Sequence, residues 1–228
     1  MLDGDEWAVV RLSLEVATLS TALLAVPGIA LGWLLARREF HGKALVDALV
    51  HLPLVLPPVV TGYLLLLLLG RHQPFGAWLY AWTGVAVAFT WKGAVVAAAV
   101  MAFPLMVRPA RVAFALVDPG LEQAAATLGA APWRVFLGIA VPLAAPGILA
   151  GLVLSFARSL GEFGATITLA GDIPGESRTL SVAIYALSQS PDGDAAALRL
   201  VAMSLVISVA ALLGAELLDR RLSRRRSA

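Results

Sequence analysis

Long uninterrupted apolar runs constrain this chain more than any other feature. "GYLLLLLLG" at 62–70 and "GAVVAAAVMAFPLMV" at 93–107 contain no charged residue. They are too continuous for the alternating outer face of a barrel strand, so helices that satisfy their own backbone hydrogen bonds remain as the spanning structure. The 228 residues are 60% hydrophobic and 14% charged, whereas soluble domains are about 45–50% apolar and about 25% charged. The sequence therefore predicts an all-α polytopic membrane protein, with residues 1–228 forming a single transmembrane domain.

The spacing of the apolar segments predicts five spans, since a bilayer takes about 20 residues per helix. They lie at 11–36, 44–69, 92–115, 136–163 and 195–218. Two segments stay ambiguous. Residues 84–90 either extend the third span or pack as a surface loop, and 164–190 suggests a short helix or re-entrant segment around 179–189. Prolines in the first four spans predict either ordinary bends or hinges around a pathway.

The distribution of Lys and Arg predicts the orientation. With the C-terminus in the cytoplasm, the inner segments hold 11 of the 17 basic residues and the outer segments hold 4. The inner residues are Arg37, Arg38, Lys43, Arg108, Arg111, Arg134, Arg220, Arg221, Arg224, Arg225 and Arg226. Because cytoplasmic loops carry an excess of Lys and Arg, we expect the N-terminus outside and the C-terminus in the cytoplasm.

Catalytic and metal-binding patterns are missing from the sequence. The chain has no cysteine, which excludes disulfides and thiolate sites, and its three histidines share no ligand spacing. It also contains neither a His-Glu-x-x-His helix nor a phosphate-binding Gly-x-x-x-x-Gly-Lys-Ser/Thr loop. We therefore predict no enzyme activity, no cofactor and no metal site, and any ATP hydrolysis would reside in a separate subunit.

A polar, helix-prone segment at about 118–135 interrupts the apolar sequence. Asp118 and Pro119 favour a helix start, and Gly129 is typical of the position after a helix end. Apolar and small residues recur at helical spacing between them: Leu121, Ala124, Ala125 and Leu128. No basic residue lies between Asp118 and Arg134. The segment therefore favours a protein partner over the anionic lipid that a basic amphipathic helix binds.

The segment "EQAAATLGAAPWRVFLGIAVP" at 122–142 resembles the cytoplasmic loop of ABC-importer permeases. The pattern of that family is Glu-Ala-Ala, three residues, Gly, nine residues, then Ile-x-Leu-Pro. Val141-Pro142 replaces Leu-Pro, and Gln123 occupies the usual glutamate position, one residue after Glu122. The resemblance implies that this helix docks on a cytoplasmic ATPase and transmits its closure to the spans. It assigns ATPase coupling to Glu122, Gln123, Ala124, Ala125, Leu128 and Gly129, and leaves open which of the first two makes the polar contact.

Longer stretches resemble the permeases of molybdate importers. They are "HLPLVLPPVVTGYLLL" at 51–66, "FPLMVRPAR" at 103–111, "LEQAAATLGA" at 121–130 and "FARSLGEFGATIT" at 156–168. Sulfate and thiosulfate permeases share a similar FAR-x-LGE stretch, and the proline-rich residues 51–60 favour molybdate, with tungstate as a co-substrate. The resemblance implies a type I ABC importer permease fold that works by alternating access in the bacterial inner membrane. It also implies a homodimer, cytoplasmic ATPase subunits and an extracytoplasmic oxyanion-binding protein.

A second candidate site lies toward the outer end of the fourth span. Arg158 and Glu162 are four residues apart and share one helix face, and ionisable residues inside a membrane are functional candidates. Gly161 and Gly164 loosen the helix around this pair, while Ser159, Thr166 and Thr168 offer uncharged hydroxyls. Because Arg158 attracts a dianion and Glu162 repels it, a pathway gate or dimer contact is favoured over a tight binding site. An internal ion pair that holds the bundle is the alternative.

A cation-coupled secondary transporter is the remaining transport hypothesis. It predicts repeated halves and ion-coordinating polar residues at mid-membrane, and no convincing repeat is visible. Five spans are also too few for one chain to enclose a route, which predicts a dimer.

Overall fold

A computed structural model describes residues 4–224, and these residues contain helices and no strand. In chain order the helices are α1 Gly4–Arg37, α2 Lys43–Val55, α3 Pro58–Leu69, α4 Pro74–Thr83, α5 Trp91–Leu116, α6 Pro119–Thr127, α7 Pro132–Val135, a π-helical segment Phe136–Ala140, α8 Val141–Leu160, α9 Gly164–Leu169, α10 Leu180–Ser188 and α11 Asp194–Arg224. The all-α prediction is confirmed. Arg225 and Arg226, which were counted among the inner charges, lie outside the described residues.

Four helical stretches of the described chain are long and apolar enough to cross a membrane. They are Asp5–Arg37, Trp91–Leu116, Pro132–Leu160 and Asp194–Ala211. The predicted first, third, fourth and fifth spans correspond to these stretches. The predicted second span corresponds to α2 and α3 together, which pass the same test as a pair.

The second span is broken instead of continuous, with a bend of 114° between α2 and α3. The predicted span over 44–69 therefore corresponds to two helices, and the proline bend predicted within it is a sharp break. The reason is the Pro57-Pro58 pair: proline has no N–H for a helical hydrogen bond and holds the residue before it in an extended conformation. Leu56 accordingly has ψ 143° and Pro57 has ψ 133°.

The broken pair nevertheless crosses the bundle from one side to the other. In α2, Asp47 pairs with Arg111 near the C-terminal end of α5, at 2.7 Å. In α3, Leu65 and Leu66 pack against the cluster that contains Ala97, near the N-terminal end of α5. Opposite ends of the pair thus contact opposite ends of one spanning helix, which is the arrangement of a single broken span.

The two ambiguous segments resolve into loops and short helices. Residues 84–90 do not extend the third span, because α5 begins at Trp91. Phe89 has a φ of 60°, and its N–H donates to the carbonyl of Leu169 at 2.9 Å, so this segment packs as a loop. The short helix expected around 179–189 is confirmed as α10. Helix α4 was not predicted from the sequence, and its Phe75, Trp78 and Trp82 form an exposed aromatic stripe.

The core is built on α5, against which α1 and α8 pack. Small residues allow this close approach, as in other membrane helix bundles. A Cβ added to Gly28 of α1 would lie 2.5 Å from Cγ of Met106, and one added to Gly32 would lie 2.9 Å from Cβ of Ala110. Gly151 of α8 makes the same kind of contact with Met106. The three packed helices connect α6 at one end of the bundle to α9 at the other.

Candidate functional site

The segment that follows α5 is a short helix with well-defined ends. Asp118 accepts a hydrogen bond from the N–H of Gly120 at 2.8 Å, and Pro119 is the first helical residue. At the other end Gly129 has a φ of 85°. Its N–H donates to the carbonyl of Ala126, and the N–H of Ala130 donates to that of Ala125, which is the hydrogen-bond pattern of a Schellman end. The predicted helix start and the predicted terminal glycine are both confirmed.

Most of α6 is turned away from the bundle, and none of its residues is buried. Gln123 and Ala124 are exposed and Ala125 is half-buried. Leu128, directly after the helix, has 88% of its surface exposed. An exposed leucine beside small residues is a surface on which a protein partner can pack closely.

Glu122 is the exception, because it points back toward the bundle. Its Oε1 accepts from Nη2 of Arg37 at 2.8 Å and from Nε of Arg37 at 3.1 Å. Nη2 of Arg37 also donates to the carbonyl of Val117 at 2.7 Å. The structure thus distinguishes the two residues between which the sequence left the polar contact open. Glu122 makes an internal ion pair, and Gln123 faces outward. In the sequence, Arg37 indicates only the topology, and no local pattern predicts this contact.

The π-helical segment joins α6 and α7 to the fourth span. The ring of Phe136 lies 5.4 Å from that of Trp33 in α1, edge to face, and 6.1 Å from that of Phe114 in α5. The N–H of Val141 donates to the carbonyl of Phe136, which closes a turn wider than an α-helical one. Such turns inside a longer helix often occur at functional sites.

At the other end of the fourth span, Arg158 and Glu162 form the predicted pair. Nη1 of Arg158 lies 2.6 Å from Oε2 of Glu162, and the side chains are 28% and 1% exposed. The second oxygen, Oε1, accepts from the N–H of Ala165 at 2.8 Å. Because α8 ends at Leu160, the carboxylate both pairs with the last turn of α8 and stabilises the first turn of α9.

The other predicted residues of this site lie around the helix break, in different environments. Ser159 and Thr166 are buried, and the hydroxyl of Thr168 donates to the carbonyl of Gly164 at 2.8 Å. Gly161 is exposed. Ser159 and Thr166 are therefore enclosed by the packing of the chain, whereas the half-buried Thr168 makes a hydrogen bond within its own helix.

Gly164 shows how tightly the break is held by the second span. A Cβ on Gly164 would lie 2.7 Å from Cβ of Pro58, and one on Gly62 would lie 2.7 Å from the carbonyl oxygen of Ala165. Pro58 and Gly62 are parts of this site that were not predicted from the sequence. The available signal is the Pro-Pro pair followed by Gly62 in "PPVVTG", which predicts a bend or hinge but not its contact with α9.

Nearly the whole chain is similar to known transport proteins. Residues 28–224 match the family described as "Binding-protein-dependent transport system inner membrane component". The chain is 54% identical over 227 residues to the Molybdenum transport system permease protein ModB of Escherichia coli (strain K12), covering 100% of this chain and 99% of that one. It is 50% identical to ModB of Haemophilus influenzae, covering 96% of both chains. It is 36% identical to the Sulfate transport system permease protein CysT of Escherichia coli (strain K12), covering 96% of this chain and 78% of that one.

Two solved structures share the fold at low sequence identity. One is a bacterial ABC transporter involved in the import of the acidic polysaccharide alginate, with a TM-score of 0.75 and 19% identity, covering 96% of this chain and 80% of that one. The other is the MetNI methionine ABC transporter in inward facing conformations, with a TM-score of 0.71 and 17% identity, covering 97% and 99%.

Proposed function

Because the chain belongs to the family of binding-protein-dependent transport system inner membrane components, we propose that it is the transmembrane permease subunit of an ATP-driven importer for molybdate. The observation that carries this proposal is the full-length 54% identity to a molybdenum transport permease. The sulfate permease is more distant at 36% identity, so molybdate is favoured over sulfate. The fold is that of type I ABC importer permeases, as the resemblance implied.

The chain works as a permease and not as an enzyme, since its relatives are named transport permeases. ATP hydrolysis resides in a separate cytoplasmic ATPase subunit, and substrate arrives with an extracytoplasmic binding protein. Tungstate, which has the same charge and shape as molybdate, is the proposed co-substrate.

The outward surface of α6 is the proposed contact with the ATPase. The exposure of Gln123, Ala124 and Leu128 supports this role, because these side chains are free to enter a groove on a partner. The Schellman end at Gly129 gives the helix a fixed exit direction. A movement imposed on α6 passes through α7 and the π-helical segment into α8.

At the far end of α8, the Arg158–Glu162 pair is the proposed gate. In this conformation Glu162 neutralises Arg158 and holds α9 at the same time. A rotation of α8 that separates the two would release a guanidinium toward an incoming oxyanion and would loosen α9 from α3. Alternating access then needs no tight binding site in the permease, and selectivity lies mainly in the binding protein.

Two further proposals concern the assembly. The excess of basic residues on the loops assigned inside supports an N-terminus outside and a C-terminus in the cytoplasm. Five spans are too few to surround a passage, which supports a homodimer with the passage between the two copies.

Uptake by the reconstituted complex tests the function. Proteoliposomes that contain this chain, the ATPase and the binding protein should accumulate molybdate only when ATP is enclosed in the lumen, on the side of the membrane where the ATPase is bound. Tungstate should compete and sulfate should compete poorly. If the chain alone moves molybdate on an ion gradient, the cation-coupled alternative replaces this proposal.

A further inference from the structure

We infer that Arg37 is a positioning residue that fastens the start of α6 to the first span, so that α1 moves together with the ATPase-coupling helix. This inference rests on the proposed function, because it concerns how that function is transmitted. It assigns α1 a role in coupling, whereas the charge distribution indicated only a role of Arg37 in orientation.

The contact is stronger than an ordinary surface pair. Both guanidinium nitrogens that face Glu122 donate to the same carboxylate oxygen, and the side chains of Arg37 and Glu122 are only 13% and 19% exposed. By comparison, the pair between Arg11 and Glu15 is 73% and 49% exposed and lies within a single helix. Charged hydrogen bonds are roughly twice as strong as neutral ones, and shielding from water preserves that strength, whereas exposed pairs contribute little.

The position of the contact joins the end of α1 to the turn between α5 and α6. Arg37 is the last residue of α1, Val117 directly follows α5, and Glu122 lies in the first turn of α6. One guanidinium therefore holds both sides of the corner between α5 and α6. The charges also suit the helix ends, since a cation is stabilised at the C-terminus of α1 and an anion at the N-terminus of α6.

A second contact, one helical turn earlier in α1, supports the same inference. Trp33 is four residues before Arg37 and packs edge to face on Phe136 of the π-helical segment. One face of α1 thus touches both the helix before Gly129 and the segment that follows α7. A displacement of α6 either carries the end of α1 with it or breaks both contacts.

The opposite end of α1 is also fastened. Glu6 pairs with Arg199 of α11 at 2.6 Å, and Val10 packs in a cluster with Leu180 of α10 and Leu200 of α11. Helix α1 therefore offers a second connection between the two ends of the bundle, in addition to the one through α8. Its 34 residues form one helix that includes Pro27, and a displacement at Arg37 would be transmitted along this helix toward Glu6.

The test measures molybdate transported per ATP hydrolysed in the reconstituted complex of permease, ATPase and binding protein. Arg37→Ala and Glu122→Ala should each lower this ratio roughly tenfold, within the range of ordinary coupling between sites, while the ATPase stays attached and continues to hydrolyse ATP. The double variant should be no worse than either single variant. Arg38→Ala is the matched control, because Arg38 is the exposed neighbour of Arg37, and it should keep the wild-type ratio.

A charge swap separates coupling from mere folding. The variant with both Arg37→Glu and Glu122→Arg should transport more molybdate per ATP hydrolysed than either single charge reversal. It replaces the alanine variants in the test if Arg37→Ala yields no folded complex. Variants that purify in lower yield but transport at the wild-type ratio would overturn the inference, and so would loss of the ATPase from the purified complex. If the wild-type complex shows no ATP-driven molybdate uptake, the proposed function itself fails, which is a distinguishable result.

Discussion

At the scale of single residues, Gly129 is a position where the backbone conformation restricts which residues fit. Its φ of 85° lies in the left-handed region, where residues other than Gly and Asn raise the conformational energy of the backbone by about 1–2 kcal/mol. A Cβ at this position would meet open space, so the expected effect of a substitution is conformational and not steric.

We predict that Gly129→Val redirects the chain after α6 and abolishes copurification of the ATPase. Gly129→Asn is the matched control, since asparagine tolerates the left-handed conformation, and it should retain most of the ATPase. The measurement is the ratio of the two subunits after affinity purification in detergent. Equal retention by both variants would contradict the proposed role of this helix end.

Arg158 supports a second prediction at this scale. Arg158→Glu should abolish uptake, because it places two carboxylates together and leaves Glu162 buried without its cation. Breaking a buried pair by removing one partner costs about 3–5 kcal/mol when both groups are fully buried, and the partial exposure of Arg158 lowers that figure. The ATPase should remain attached, because the change lies at the opposite end of the bundle from α6.

Arg11→Glu provides the control for this experiment. Arg11 and Glu15 have the same four-residue spacing but are largely exposed, so breaking their pair should change thermal stability little. Loss of the ATPase from the Arg158→Glu variant would argue against a gate that acts locally.

At the scale of elements, the contact between α3 and α9 couples the broken second span to the gate. Gly62 lies against the backbone of Ala165, and neither backbone can move aside as a flexible side chain would. We predict that Gly62→Ala pushes α9 away from α3, lowers stability by about 1–3 kcal/mol and impairs uptake. Gly214→Ala is the control in α11, where an added Cβ meets no atom within 4 Å. Thermal unfolding and uptake measured on both variants check this prediction.

The sequence was sufficient for elements whose determinants are local. The positions of the spans follow from apolar runs, and the ends of α6 follow from Asp118, Pro119 and Gly129, so these predictions are confirmed. Contacts between distant segments could not be predicted. Arg37 and Glu122 are 85 residues apart, and no local pattern indicates that they meet. The break at Pro57-Pro58 was visible in the sequence, but its angle depends on the packing of α3 against α9.

At the scale of the whole molecule, the orientation in the membrane is directly testable because the chain contains no cysteine. We predict that a membrane-impermeant maleimide labels Ser190→Cys in cells with a permeabilised outer membrane and leaves Gln123→Cys unlabelled. Both residues are exposed in the structure, so accessibility depends on the side of the membrane. Opening the inner membrane should make Gln123→Cys reactive, which serves as the control. The reverse pattern would place α6 outside and would remove the basis for ATPase coupling.

The break in the second span also has a consequence for how the backbone at the bend is solvated. In a continuous helix the carbonyls of Pro53 and Leu54 would accept from the residues at positions 57 and 58, and both of these are prolines without an N–H. Hydrocarbon cannot solvate such carbonyls, so backbone of this kind at membrane depth requires protein contacts or water. Gly164 of α9 packs against Pro58 at this bend, so a movement that separates α9 from α3 would open the break to water.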